Sequence, residues 1–88
     1  MKIKDGFLLR EVGERTVVVP VGAQTVDFRC IMTLNESGAF LWRELQQNTT
    51  VEALTSRLLA EYEVAEDKAA ADAAAFVATL REKGLLDE

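Results

Sequence analysis

The first third of the chain contains runs of apolar and β-branched residues that are typical of strands. Two such runs, residues 7–12 (FLLREV) and 16–21 (TVVVPV), are separated by Gly13 and Glu14, a pair typical of a tight turn. A third, longer run covers residues 25–34, and its apolar side chains are Val26, Phe28, Cys30, Met32 and Leu34. A period of two indicates strands with one buried face, so the sequence predicts an antiparallel three-stranded meander. Pro20 cannot donate to a ladder, and we expect it near the end of the second strand.

The pattern becomes helical after the third predicted strand. Thr33 and Glu36 have the spacing of a capping box and Asn35 is itself a good N-cap residue, which predicts a first helix from about residue 35 to Gln47. The apolar stripe of this helix is Leu41, Trp42 and Leu45. Because Trp42 shares that stripe, we predict that it anchors the core rather than stacking on a ligand.

Two further helices are predicted. Thr49 and Glu52 repeat the capping-box spacing before the second helix, whose predicted inward face is Val51, Leu54, Leu58, Leu59 and Tyr62. The third helix is predicted over residues 66–83, and its core stripe is Ala69, Ala73, Phe76, Val77 and Leu80. Gly84 should end this helix, and Leu85 and Leu86 should fold back onto its last turn.

The third helix also carries alanines on its other faces. They are Ala70, Ala71, Ala74, Ala75 and Ala78. Alanine is the best helix former and commonly fills surface positions. Small side chains also leave space for another chain to pack closely against one side of a helix. The alanine pattern alone does not decide between helix propensity and such a binding surface.

Length and charge limit the possible functions. The 88 residues are 49% hydrophobic and 28% charged, which predicts a single α+β domain over residues 1–88. The net charge is -5, and most of the excess negative charge falls in residues 35–88. Strands followed by three helices also suggest a winged-helix DNA-binding regulator, but the third helix has no Lys or Arg between Lys68 and Arg81. We therefore expect no nucleic-acid partner.

The residues needed for most catalytic and metal sites are missing from the sequence. It contains no His and a single cysteine, Cys30, so we expect no catalytic triad, no zinc site, no disulfide and no cofactor. Cys30 alternates with Phe28 and Met32, which predicts a packing role. The chain begins MKIKDGF, without the apolar run of a signal peptide or membrane span, and we expect a cytoplasmic protein. A structural subunit of a larger enzyme remains an alternative.

The edge of the third predicted strand is a candidate binding surface. In a meander this strand pairs with the second strand on one side, and it contains neither Pro nor Gly. Asp27 and Arg29 are its only outward charges, so its edge is suited to accept a strand from a peptide. The same edge could pair with a second copy of the chain as a homodimer.

Three segments resemble the PqqD-like family, named for coenzyme PQQ synthesis protein D. They are LNESGAFLWREL (residues 34–45), TTVEALTSRLLAEYEV (residues 49–64) and LREKGLL (residues 80–86). The most specific part is the LNxxGAFLW pattern with the helix spacing that follows it. The resemblance implies a winged-helix-like fold of three strands and three helices.

The resemblance also implies a function. Members of this family recognise the leader of a ribosomally made precursor peptide, bind it as an added strand between the third strand and the third helix, and present it to a maturase, often a radical SAM enzyme. They catalyse nothing themselves. Carried over by position, the implied peptide-binding residues are Val26, Asp27, Phe28, Arg29, Cys30, Ile31, Met32 and Thr33 on the strand and Asp72, Ala75, Phe76 and Thr79 on the helix.

Overall fold

A computed structural model describes residues 1–21 and 32–88. Its elements in chain order are β1 (Lys2–Ile3), β2 (Phe7–Val12), β3 (Arg15–Pro20), β4 (Met32–Leu34), α1 (Glu36–Glu44), α2 (Val51–Glu61), α3 (Glu66–Glu82) and β5 (Leu86–Asp87). The three-stranded antiparallel sheet has the order β2-β3-β4 and precedes the three helices. This is the α+β arrangement that the sequence predicts.

The predicted hairpin is formed by β2 and β3. These strands pair antiparallel from Phe7 opposite Pro20 to Val12 opposite Arg15. Gly13 closes the turn with a φ of 64°, a value that glycine adopts without a steric penalty. Pro20 is the last residue of β3, as expected of a residue that has no N–H to donate.

The third predicted strand corresponds to β4. Met32 and Leu34 lie opposite Val18 and Thr16 of β3, and β4 therefore stands at one end of the described sheet. The predicted strand positions 25–31, including Cys30 and its expected packing role, lie outside the described residues.

The first helix begins at the predicted cap and ends earlier than expected. Gly38 donates its N–H to Oδ1 of Asn35 at 2.8 Å, so Asn35 is the N-cap. The end at Glu44 rather than Gln47 follows from a tightened last turn. The Leu45 N–H approaches the carbonyls of both Leu41 and Trp42, at 3.0 and 3.1 Å.

Two predictions for the second helix are wrong. The N-cap is Thr50, whose hydroxyl accepts from the Ala53 N–H at 3.1 Å. Thr49 instead bonds to the start of the chain: its backbone N–H donates to the Met1 carbonyl at 2.9 Å. Leu59 does not face inward: it is 39% exposed, since it follows Leu58 by one position and lies outside the buried stripe.

The third helix ends as the sequence predicts. Gly84 follows it with a φ of 72°, and the buried Leu85 donates its N–H to the Leu80 carbonyl at 2.9 Å. Leu86 then enters β5, which pairs with β1 through the partner Ile3. The sequence analysis missed this second sheet because strands of two residues are too short to show a period.

The helices and the inner face of the sheet enclose one apolar core. Its fully or nearly fully buried members include Val18, Leu34, Leu41, Trp42, Leu45, Leu54, Leu58, Ala73, Val77 and Leu80. Trp42 is 2% exposed, which confirms that it is a core residue. Among the described residues no polar or charged side chain is buried, so the core depends on hydrophobic burial. None of the described helices is long and apolar enough to cross a lipid bilayer.

The cap of α1 can be tested by mutation. We expect Asn35→Ala to lower the free energy of unfolding by about 0.5–2 kcal/mol, because the Gly38 N–H loses its acceptor. Chemical denaturation followed by circular dichroism measures this change. Asn48→Ala, at an exposed position between α1 and α2, is the matched control. Equal stability of the two variants would contradict the role of Asn35 as a cap.

Candidate functional site

A cleft of about 470 Å³ opens where β4 leads into α1. Its described walls come from the start of α1, the end of α2 and one face of α3. The lining residues are Asn35, Ser37, Gly38, Leu41, Leu58, Tyr62, Val64, Lys68, Ala69, Asp72, Ala75, Phe76 and Thr79.

The cleft has an apolar floor and a polar rim. Leu41, Leu58 and Ala69 are at most 3% exposed and form the floor. Lys68 and Asp72 are exposed on the rim. A site of this kind buries an apolar side chain of a ligand while its rim offers hydrogen bonds to the ligand's polar groups.

Gly38 is the glycine of the LNxxGAFLW pattern, and the structure explains why this position has no side chain. A Cβ at this position would lie 3.0 Å from Oδ1 of Asn35 and 3.5 Å from the side chain of Leu34. The absence of a side chain therefore lets the helix start close to its own cap and to the end of β4. This close approach forms the corner of the cleft.

The α3 wall contains all four helix residues that the family resemblance implies. Ala75 and Phe76 lie three and four positions after Asp72, and Thr79 lies four and three positions after them, so the four residues share one face of the helix, and each lines the cleft. Phe76, predicted to be in the core stripe, is half-buried and contributes its ring to both the core and the cleft. Whether these residues bind a peptide stays a prediction.

Five alanines lie on α3 outside its core stripe, and two explanations were open for them: helix propensity, or room for another chain beside the helix. Ala75 is exposed and lines the cleft, so there a small side chain keeps the helix low beside an open space. The other four are exposed and are not among the described lining residues. For them the simple explanation, helix propensity at the surface, is sufficient.

The strand positions of the predicted site are only partly described. Met32 and Thr33 lie on β4, which reaches the cleft through Leu34 and Asn35, and they are not among its described lining residues. The remaining predicted positions, residues 26–31, lie outside the described part of the chain. The structure thus brings together the helix residues and the end of β4.

An aromatic pair supports the α2 wall. The rings of Phe40 and Tyr62 meet edge to face with centroids 5.7 Å apart. Arg57 places its guanidinium 5.9 Å from the Phe40 centroid and donates to Glu44 at 2.6 Å. This hydrogen bond, together with the charge of Glu44, raises the pKa of Arg57. The cluster joins α1 to α2 and holds Tyr62 at the end of the cleft.

Tyr62 is a cleft residue that the sequence did not predict. Its spacing, four positions after Leu58, predicts a place on the inward face of the second helix. That spacing was a usable signal, because a tyrosine at the end of a buried stripe commonly keeps its polar tip in water. Tyr62 is half-buried, in agreement with this dual position.

The cations near the cleft are paired with carboxylates. Lys68 lies 3.3 Å from Asp72 on the rim, and Arg57 and Arg81 lie within 2.7 Å of Glu44 and Glu88. A phosphate-binding helix needs clustered and available cations. The two long helices lack that property, which disfavours the DNA-binding alternative.

The family of the chain follows from its sequence match. The family model described as coenzyme PQQ synthesis protein D (PqqD) matches residues 16–86. The chain belongs to the PqqD family. The match begins in β3 and includes the described lining of the cleft and α3, while β2 lies before it. Among curated proteins, no match is found.

Two solved structures resemble this PqqD family member over nearly its whole length. The first is TbiB1 in complex with the TbiA(beta) leader peptide, with 25% identity, a TM-score of 0.73 and coverage of 99% of this chain and 95% of that chain. The second is a lasso peptide synthetase B1 complexed with the leader peptide, with 21% identity, a TM-score of 0.68 and coverage of 96% and 93%. The second likeness shows a shared fold.

The ion pair behind the aromatic wall provides a second test. We expect Glu44→Gln to leave the free energy of unfolding nearly unchanged, because Arg57 at the other end of the pair is exposed to water. The Tyr62 ring resonances should shift as the Arg57 and Phe40 contacts loosen. Glu52→Gln, at an exposed site on α2, is the control. Unchanged Tyr62 resonances in Glu44→Gln would show that this ion pair does not hold the wall.

Proposed function

We propose that this PqqD family member is a non-catalytic recognition element that binds the leader of a ribosomally made precursor peptide. The observation that carries the proposal is the cleft beside the end of β4, lined by Asp72, Ala75, Phe76 and Thr79. The likeness to TbiB1, a protein solved with a leader peptide, supports it. The apolar floor and the small side chain of Ala75 fit an extended peptide better than a flat or charged ligand.

Binding would begin by strand addition. We expect the leader to pair along residues 26–33, the positions of the third predicted strand, and the described strand β4 stands at one end of the described sheet. Each backbone hydrogen bond adds about 0.5–1.5 kcal/mol net. Four or five such bonds, reduced by the cost of ordering the peptide, correspond to roughly micromolar to nanomolar affinity.

The cleft would supply the selectivity. A peptide strand leaving β4 at Leu34 arrives at the corner formed by Asn35 and Gly38. From there an apolar side chain of the peptide can enter the space between Phe76 and the floor. The exposed Lys68–Asp72 pair at the rim contributes only about 0–1 kcal/mol, so either partner can turn to the peptide at little cost.

The proposal assigns the chemistry to a separate protein. The bound leader is presented to a peptide-modifying maturase, a radical SAM enzyme or one of another class, in the cytoplasm where precursor peptides are made. The same strand edge can also pair with a second copy of the chain. A homodimer of this kind would compete with the leader for the edge, so the peptide would shift the protein toward the monomer.

A chemical-shift titration tests this function. Isotope-labelled protein is titrated with a synthetic peptide covering the N-terminal part of the precursor encoded beside its gene. We expect saturable shifts concentrated at residues 26–33 and on the cleft face of α3, at Ala75, Phe76 and Thr79. A precursor peptide with the same composition and a scrambled sequence is the control. The absence of saturable shifts in folded protein would overturn the proposal.

Filling the cleft should prevent binding without unfolding the protein. Ala75→Trp places a large ring in the cleft, and since Ala75 is exposed we expect stability within about 0.5 kcal/mol of the wild type. Leader affinity should fall by about tenfold or more, as measured by calorimetry.

Ala74→Trp is the matched control, because Ala74 is exposed on the side of α3 away from the cleft. This variant should bind the leader as the wild type does. Equal affinities of the Ala75→Trp and Ala74→Trp variants would show that the peptide does not use the cleft.

A further inference from the structure

The side of the sheet that faces away from the helices has an unusual composition. We call it the outer face, and its described members on the hairpin are Leu8, Arg10, Val12, Arg15, Val17 and Val19. Phe7 and Leu9 pack against the core with Val18, so their neighbours in the period-two pattern point the other way. The register brings Leu8 opposite Val19 on this face.

The outer face leaves apolar surface in contact with water. Val12 is 58% exposed and Leu8 is 39% exposed, and Val21, just after β3, is 52% exposed. These are three of the four large hydrophobic residues that are exposed in the described part of the chain. Exposed apolar side chains grouped on one side of a sheet are typical of a surface that another protein covers.

The charge of this face is opposite to that of the chain. On the hairpin, the charged side chains of this face are Arg10 and Arg15, while the protein as a whole carries a net charge of -5. Across residues 1–21 and 32–88, neither arginine has a carboxylate within ion-pair distance, whereas Arg57 and Arg81 are both paired. Glu11 lies between Arg10 and Val12 in sequence and so projects from the opposite side of β2.

We propose that the outer face docks the folded peptide-modifying enzyme, through an apolar area of the enzyme that is rimmed by carboxylates. This inference rests on the proposed function, because it concerns the partner to which the leader is presented. Arginine and apolar side chains are the combination found at protein interfaces, and two guanidinium groups that have no carboxylate beside them in residues 1–21 and 32–88 call for acidic residues opposite them. The acidic helices of this chain would repel such an enzyme surface, which leaves the outer face as the side suited to it.

The position of the outer face suits presentation. The cleft lies on the helix side of the sheet, where Leu34 leads into α1, whereas the outer face lies on the other side. Enzyme and leader can therefore be bound at the same time without competing for side chains. A recognition element that presents its peptide requires such an arrangement.

Charge reversal on the outer face tests the inference. Two affinities are measured for the Arg10→Glu/Arg15→Glu variant, one for the purified modifying enzyme encoded beside the gene and one for the leader peptide. We expect the affinity for the enzyme to fall by about tenfold or more, because like charges then face each other. Leader affinity should stay within about twofold of the wild type. The enzyme affinity of the wild type should also decrease as salt is added.

The matched control is Lys4→Glu/Lys83→Glu, which changes the net charge equally at exposed positions outside the hairpin. This variant should bind enzyme and leader as the wild type does. Val12→Ser tests the apolar part of the face and should also weaken enzyme binding alone. Because all the substituted side chains are exposed, thermal unfolding should show that every variant is folded.

Several results would overturn the inference. One is unchanged enzyme affinity in the Arg10→Glu/Arg15→Glu variant, and another is an equal loss in the lysine control, which would indicate an effect of net charge. A loss of leader binding equal to the loss of enzyme binding would place these arginines in the peptide site. Self-association or binding to anionic vesicles that depends on these arginines, with enzyme affinity unchanged, would assign the face to another occupant. A wild-type protein that binds no leader refutes the proposed function instead.

Discussion

The hydrogen bond between the Gly38 N–H and Asn35 Oδ1 fixes the junction on which the rest of the fold depends. It starts α1 immediately after β4, so the sheet and the helices meet with a single residue between them. Leu34 faces the core on one side of this junction and Leu41 and Trp42 do so on the other. The cleft occupies the corner that this abrupt change of direction creates.

A short junction also couples the two surfaces proposed to act in recognition. β4 belongs to the sheet that carries the outer face, and its last residue adjoins the corner of the cleft. The core beneath them is entirely apolar in the described residues and closely packed around Trp42. Such a core keeps the two surfaces in a fixed relation, because packed side chains resist small displacements.

Most of the fold could be predicted because it depends on periodic patterns. The strand-like runs at residues 7–12 and 16–21 and the stripe through Ala69, Ala73 and Val77 each involve several residues, so a single exception does not obscure the pattern. The four helix residues of the predicted site came from the family resemblance, by their location, and not from a pattern; all four line the cleft, and their part in peptide binding stays a prediction.

Features set by a single contact could not be predicted. The sequence favours Thr49 as the cap of α2, because Glu52 lies three residues after it, whereas in the structure the Thr50 hydroxyl accepts from Ala53 and the Thr49 N–H donates to the Met1 carbonyl. Tyr62 lines the cleft with its ring against Phe40, a residue of α1 that is distant in sequence. Such tertiary contacts leave no trace in local spacing.

The pairing of β1 with β5 has a consequence for the order of folding. Ile3 and Leu86 are almost the whole chain apart, so bringing them together early would require closing a loop of nearly maximal length. The β2–β3 hairpin and the individual helices involve only near neighbours and can form first. The small sheet of β1 and β5 is therefore a closing step, stable only when the helices between its strands are already packed. A spectroscopic probe on Ile3 would report completion of the native state, whereas a probe in the hairpin would report its beginning.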